Sequence, residues 1–354
     1  MPAQGRPRVA VDAMGGDGAP RAVVSGAVAA ARELGIDPVL VGPAVRIEEE
    51  LRRLRASDLA IDVVDAPEVI EMHEHPAMAL RRKRRASIVV AVEQVREGRV
   101  AAVVSAGHTG AAMGAAQLVL GRIRSIDRPA IAVVLPTVGP TPVVVLDVGA
   151  NVDCKPHHLV QFGLMGSVYA REVLGIRTPR VGLLSNGEEE TKGNDLTIRA
   201  AELLRASGVS FIGNVEGRDL LLGATDVAVC DGFVGNVLLK FGEGLALVIR
   251  EIVRAELRGW QGWLMRLYLA PLSGRARRVW ERLDYREYGG APLLGIDGVC
   301  VIAHGRSNAR AVRNAIRVAA DAAHHDLPRR IGEAVGAANA AAAAAGPPRV
   351  GALQ

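Results

Sequence analysis

An apolar run that ends abruptly in a polar loop is the feature that most constrains this chain. Residues 143–148 are apolar except for Asp147, and Gly149, Asn151, Asp153 and Lys155 follow before Pro156. A strand without polar alternation must be covered on both faces, the condition of a strand inside a parallel sheet. Pro156 fits the first position of a helix. Asp147, Asn151, Asp153 and Lys155 therefore stand at the carboxyl end of a strand, the edge where open α/β sheets bind ligands. An ordinary βα loop, with Asn and Asp capping a helix, would carry the same residue types.

The unit recurs along the chain. Strands are expected at residues 8–12, 38–41, 59–64, 100–104, 180–184, 209–212, 226–230 and 298–303. Helices are expected at 21–34 (closed by Gly35), 44–55, 156–174, 195–205 and 309–324 (capped by Ser307), with a long one from Val237. Such alternation predicts an α/β fold with a parallel sheet. The 354 residues are 49% hydrophobic but only 3% aromatic, so a large core must be built from Val, Leu, Ile and Ala.

Each strand exit poses a choice. The glycine-rich loop at 13–20 can hold a phosphate on its N–H groups or merely turn tightly, and it matches neither GxGxxG nor a Walker A spacing. At 105–111, Ser105, His108 and Thr109 can donate to an oxyanion, or His108 can cap the next helix. At 185–194, Lys192 with Asn194 suits an anion site, or Lys192 pairs with the glutamates before it. Asp231, Asn236 and Lys240 mark the exit near residue 231.

The formal charge of +5 and pI near 9.4 favour acidic partners. Nucleic acid is not expected, because no such motif is present and aromatics do not interleave with the cations. Residues 81–85 crowd cations together, as a solvated helix end or as a dock for an acidic partner. Cys154, Cys230 and Cys300 show no CxxC spacing and read as reduced cytosolic thiols, and no metal motif is present. Without an apolar signal core, the chain is expected to be cytoplasmic. Residues 244–284 hold all three tryptophans among leucines and arginines. This is the composition of an amphipathic helical hairpin touching a membrane interface, or of an ordinary dimer or core helix pair.

Taken together, the motifs Val9-Ala-Val-Asp-Ala-Met-Gly-Gly-Asp17, Ser105-Ala-Gly-His-Thr-Gly110, Leu146 to Pro156, Lys192-Gly-Asn194, Cys230-Asp-Gly-Phe233, Tyr288-Gly-Gly-Ala291 and Ala303-His-Gly305 are specific. The chain resembles the phosphate acyltransferases of bacterial phospholipid synthesis, which make acyl phosphate from acyl carrier protein thioesters. One departure is His108, where the family more often has asparagine. The resemblance implies a three-layer α/β/α sandwich like that of isocitrate and isopropylmalate dehydrogenases, working as a homodimer without nicotinamide or any other cofactor.

It also implies a catalytic unit at 8–330, with Trp260, Trp263, Leu264 and Leu267 of the hairpin on the cytoplasmic face of an anionic membrane; residues 1–7 are expected to be flexible, and the Ala/Gly/Pro composition of 331–354 predicts a disordered tail. The expected partners are acyl carrier protein, inorganic phosphate and a membrane-bound glycerol-3-phosphate acyltransferase. Lys192, Asn194 and Asn151 are the expected catalytic residues. Ser105, His108, Thr109, Lys155, Asp231, Asn236 and Lys240 are expected to line the phosphate cleft. A metal- and NAD-dependent hydroxyacid dehydrogenase on a related fold is the alternative, and it requires clustered metal ligands.

Overall fold

Alternate residues of each core strand feed two different apolar clusters. Val9 and Val11 pack in one cluster and Ala10 in the other; Val144 and Leu146 join the first, Val143 and Val145 the second. Both faces of the strands are thus covered, as the unbroken apolar runs require. The computed structural model describes residues 6–256 and 289–345.

Among the described residues, two sheets carry the strands. The first contains β1 (Arg8–Asp12), β2 (Asp37–Gly42), β3 (Asp62–Asp65), β4 (Ala102–Ser105), β5 (Ala130–Ile131), β11 (Ala291–Leu294) and β12 (Cys300–Ile302), in the order β3-β2-β1-β4-β12-β11-β5. The second contains β6 (Val133–Leu135), β7 (Val143–Leu146), β8 (Arg180–Leu184), β9 (Ser210–Val215) and β10 (Val227–Val229), in the order β6-β7-β10-β8-β9. Pairing is parallel except where β11 meets β12 and β5, and where β6 meets β7. The fold is therefore mixed α/β with two parallel-dominated sheets, where the sequence predicts a single parallel sheet. The chain passes from one sheet to the other at Ala132, between β5 and β6, and its N–H donates to the Pro292 carbonyl at 3.0 Å.

On one side of the sheets pack α1 (Arg21–Leu34), α6 (Pro156–Glu172), α7 (Asp195–Ala206) and α10 (Ala309–His324), whose buried residues belong to the first cluster. On the other pack α4 (Ser87–Arg96) and α5 (Thr109–Val119). Helix α2 spans Ala44–Arg53, the short α3 Pro76–Arg82 and α8 Gly217–Leu222. Gly35 closes α1 with φ 64°, a left-handed conformation that costs glycine nothing.

Three expectations need correction. Asn308, not Ser307, caps α10, accepting from the Ala311 N–H at 3.0 Å. Helix α9 spans Gly232–Glu256, starting before Val237 because Asp231 caps it. The composition from 331 predicts disorder, yet α11 runs Leu327–Ala345. Ile331 and Val335 are buried, and this anchors an alanine run of high helix propensity.

Helix α9 is long and apolar enough to cross a membrane by length and composition, and most of it is exposed. Phe241, Leu245, Val248 and Ile252 all face outward. The rest of the expected hairpin, including Trp260, Trp263, Leu264 and Leu267, lies outside the described residues.

Candidate functional site

At the carboxyl edge of the first sheet, Asp12 pairs in register with Ser105, and Ser105 with Ile302. The Ser105 hydroxyl donates to Asp12 Oδ2 at 2.7 Å and accepts from the Gly107 N–H at 3.1 Å. The Met14 N–H donates to Asp12 Oδ1. Both side chains are buried. Burial raises the Asp12 pKa, while hydrogen bonds from Ser87, Ser105 and Met14 act the other way.

Ser105 is therefore a brace for a buried carboxylate, where an oxyanion donor was expected. The glycine loop beside it is also a packing device. A Cβ on Gly15 would lie 2.5 Å from the Gly107 nitrogen, and the Asp17 N–H donates to the Gly305 carbonyl at 2.8 Å. These contacts show residues 13–20 turning tightly.

The second sheet carries the polar loop read first from the sequence. Parallel pairing sets Leu146 and Leu183 beside Val229. With neighbouring strands about 4.8 Å apart, the exits of β7, β10 and β8 lie along about 10 Å of edge. Asp147 is fully buried at the first exit. Its Oδ1 accepts from the N–H groups of Ile131, Gly149 and Ala150, and its Oδ2 from the N–H and side-chain amide of Asn151. Burial pushes its pKa up, but donors alone surround these oxygens, and such a cage fits a carboxylate and leaves a carboxyl proton without an acceptor.

This cage changes the reading of Asn151. Its amide donates to the Pro129 carbonyl at 2.8 Å and to Asp147 at 2.9 Å, so both hydrogens are engaged within the fold. The N–H groups of residues 149–151, which resemble an anion nest, already hold the protein's own anion. The Asn151 carbonyl accepts from the Gly232 N–H at 2.7 Å, joining the loop to the start of α9.

Helix starts at the strand exits of both sheets are likewise filled from within. His108 Nδ1 accepts from the Gly110 N–H at 3.1 Å and caps α5, so the capping alternative is the observed one. Asn194 accepts from the Thr197 N–H at 3.0 Å while its own N–H donates to Thr197 Oγ1 at 2.9 Å, a capping box for α7. Asp231 accepts from the Phe233 and Val234 N–H groups at the start of α9. Lys240 is paired with Glu243 at 3.0 Å.

What stays available at these strand exits is narrower than the sequence reading. Thr109, Lys155, Lys192 and Asn236 are exposed. The Lys192 N–H donates to the Glu189 carbonyl, and Asn214 donates to the carbonyls of Glu189 at 2.9 Å and Lys192 at 3.4 Å, so the turn carrying this lysine is tied to β9. Asn236 lies against Gly149, where a Cβ on the glycine would be 3.7 Å from it. Lys155 and Asn236 thus flank the Asp147 loop, and Lys192 stands at the β8 exit. Asp147 carries a sequence signal as the single charge in an apolar run, whereas only the fold shows that Asn214 ties down the turn carrying Lys192.

Other chemistries fit poorly. Burial raises the Cys154 thiol to about 11 and the Cys230 thiol well above its ordinary value, so neither is a ready thiolate. Asp127, His157 and His158 bring ligand atoms within 4.8 Å of one another. However, His158 Nδ1 accepts the Lys155 N–H at 3.1 Å, and burial lowers its pKa. A neutral ring bonded in this way carries its proton on Nε2 and offers no second lone pair to a cation. A groove of about 700 Å³ opens beside Ala101 and Val299, at the opposite end of β4 and β12. There Arg329 is already paired with Asp326 and Glu333.

The family profile described as fatty acid synthesis protein matches residues 7–330. The chain belongs to this family. A phosphate acyltransferase of Pelotomaculum thermopropionicum is 55% identical over 321 residues, covering 90% of this chain and 92% of the relative. One of Desulforamulus reducens is 52% identical over 328 residues, covering 93% and 97%. Among solved structures, a phosphotransacetylase from Streptococcus pyogenes shares the fold, with a TM-score of 0.63 at 16% identity over 90% of this chain and 94% of that one.

Proposed function

We propose that this family member is an acyltransferase that moves a long-chain fatty acyl group from the thioester of acyl carrier protein to inorganic phosphate. The observation that carries the reading is the over 50% identity to phosphate acyltransferases along nearly the whole chain, together with exposed Lys155, Lys192 and Asn236 on one sheet edge.

Phosphate near neutral pH is largely a dianion and can attack a thioester carbonyl without a protein nucleophile. The protein must hold it within about 3.5 Å of the carbonyl carbon and stabilise the oxyanion that forms. A new P–O–C bond forms, the C–S bond breaks, and the carrier thiolate leaves and takes a proton, its thiol pKa being about 8.5. Lys192 is the residue assigned to the developing negative charge. The Asn194 amide group can assist, since capping engages only its oxygen and the residue is exposed. Lys155, Thr109 and Asn236 supply further phosphate contacts.

The acyl phosphate then serves phosphatidic acid synthesis through a membrane-bound glycerol-3-phosphate acyltransferase. Peripheral attachment to the inner face of the membrane, through α9 and the segment that follows, would place product beside that enzyme. The exposed apolar face of α9 supports this reading, and a homodimer is part of it. The dehydrogenase alternative finds no support, since the His158 ring is committed to Lys155.

The reading is tested by adding palmitoyl-carrier thioester to the purified protein with and without phosphate. Phosphate-dependent release of the free carrier thiol is expected, and thiol release at the same rate without phosphate would indicate a thioesterase.

A further inference from the structure

The cations of residues 81–85 are not equivalent. Lys83 is half-buried and donates to Glu74 at 2.6 Å and to the Val69 carbonyl at 2.6 Å, and Arg85 pairs with Asp65 at 3.3 Å. Lys83 holds the Glu74 carboxyl below its ordinary range. Arg81, Arg82 and Arg84 are exposed, and no ion pair engages them among the described residues. Three guanidinium groups are thus left uncompensated on one short helix and its exit, at a cost in mutual repulsion.

Their position matters. Helix α3 lies against the first turns of α5: a Cβ on Gly110 would meet Pro76 at 2.9 Å, and one on Gly114 would meet Leu80 at 2.6 Å. The arginines therefore flank the helix whose first residue is Thr109. The preceding loop reaches the exit of β12, with the Met72 methyl 3.8 Å from a Cβ on Gly305. Met72 and Met78 are 55% and 52% exposed. Free guanidinium groups interspersed with exposed, adaptable methionines beside the helix that begins at Thr109 have the composition of a protein-docking surface. A bilayer contact would call for the continuous aliphatic and aromatic face that α9 has and α3 lacks.

We propose that Arg81, Arg82 and Arg84 form the dock for an acidic carrier protein, which seats a negatively charged surface on α3 and delivers its thioester along α5 to the sheet edge. The proposal rests on the acyl-carrier reading of the function. Complementary charge at such a rim acts chiefly on association.

The experiment compares wild type with Arg81→Glu/Arg82→Glu/Arg84→Glu and with the Lys version of the same triple, using palmitoyl-carrier thioester and phosphate at low and high salt. The Glu triple should raise KM for the carrier about tenfold or more, with kcat at saturating carrier and KM for phosphate little changed. The Lys triple should stay near wild type, and wild-type KM should rise with salt more steeply than that of the Glu triple. Anisotropy of a labelled carrier protein lacking the acyl chain should show the same loss of binding. An unchanged KM in the Glu triple, with normal wild-type turnover, contradicts the dock alone. Loss of sedimentation with phosphatidylglycerol vesicles at unchanged carrier KM would assign the patch to the membrane and overturn the proposal. No wild-type turnover of the carrier thioester contradicts the functional reading and the dock together.

Discussion

Gly235 approaches the Asp147 carbonyl oxygen so closely that a Cβ built on it would lie 1.9 Å away. One residue further on, Asn236 faces Gly149. Strand β7, its loop and the start of α9 are therefore one interlocked unit, and the exposed Asn236 inherits its position from that contact.

Gly235→Ala should separate α9 from the loop. No flexible side chain can yield here, because the obstructing atom is backbone. The expected loss is about 3 kcal/mol or more of stability, read as a lower denaturant midpoint. A soluble variant with wild-type stability would show that the unit is not rigid.

Asp147→Asn retains the shape of the cage but replaces an acceptor oxygen with an amide that donates toward donors. Buried N–H groups left without an acceptor cost roughly 1–3 kcal/mol each. Urea unfolding should show a loss of more than about 3 kcal/mol, and a stable Asn variant would contradict an ionised Asp147.

Ser105→Ala tests the reassignment of that serine. Removing the hydroxyl leaves the buried Asp12 short of a donor, so stability should fall by about 1–3 kcal/mol. KM for phosphate should not move. A hundredfold loss in rate at unchanged stability would return Ser105 to the reacting centre.

Much of the framework was legible beforehand, because unbroken apolar runs and glycine stops report directly on buried strands and helix ends. α1 and α10 fall where periodicity places them. The division into two sheets was not legible, since no residue marks Ala132 as the crossing point. Nor were the caps of α5 and α7, because His108 and Asn194 carry the same groups whether they satisfy a helix start or face a ligand. The buried commitment of Asn151 depends on Pro129, a partner distant in sequence. Helix α11 was missed because an alanine-rich segment looks alike in a low-complexity tail and in a helix, and only burial of Ile331 and Val335 distinguishes them.

Acid should expose one further pair. Burial pushes Asp226 up, but hydrogen bonds from the Arg180 guanidinium and N–H outweigh this and leave its pKa below the ordinary value. A carboxylate lowered on folding stabilises the fold above its unfolded pKa, and that contribution is lost as pH falls through the lowered folded value. Wild type should therefore lose stability below about pH 4 more steeply than Asp226→Asn. Parallel slopes of denaturation free energy against pH would contradict the pairing.

The most direct test of the central claim is to follow radiolabelled phosphate into product, using purified protein, palmitoyl-carrier thioester and wild type beside Lys192→Ala. A labelled, lipid-soluble acyl phosphate that hydroxylamine destroys is expected, formed in step with free carrier thiol, with a loss of about 10²- to 10³-fold in rate in the variant. Carrier thiol released while all label stays in inorganic phosphate would contradict the claim.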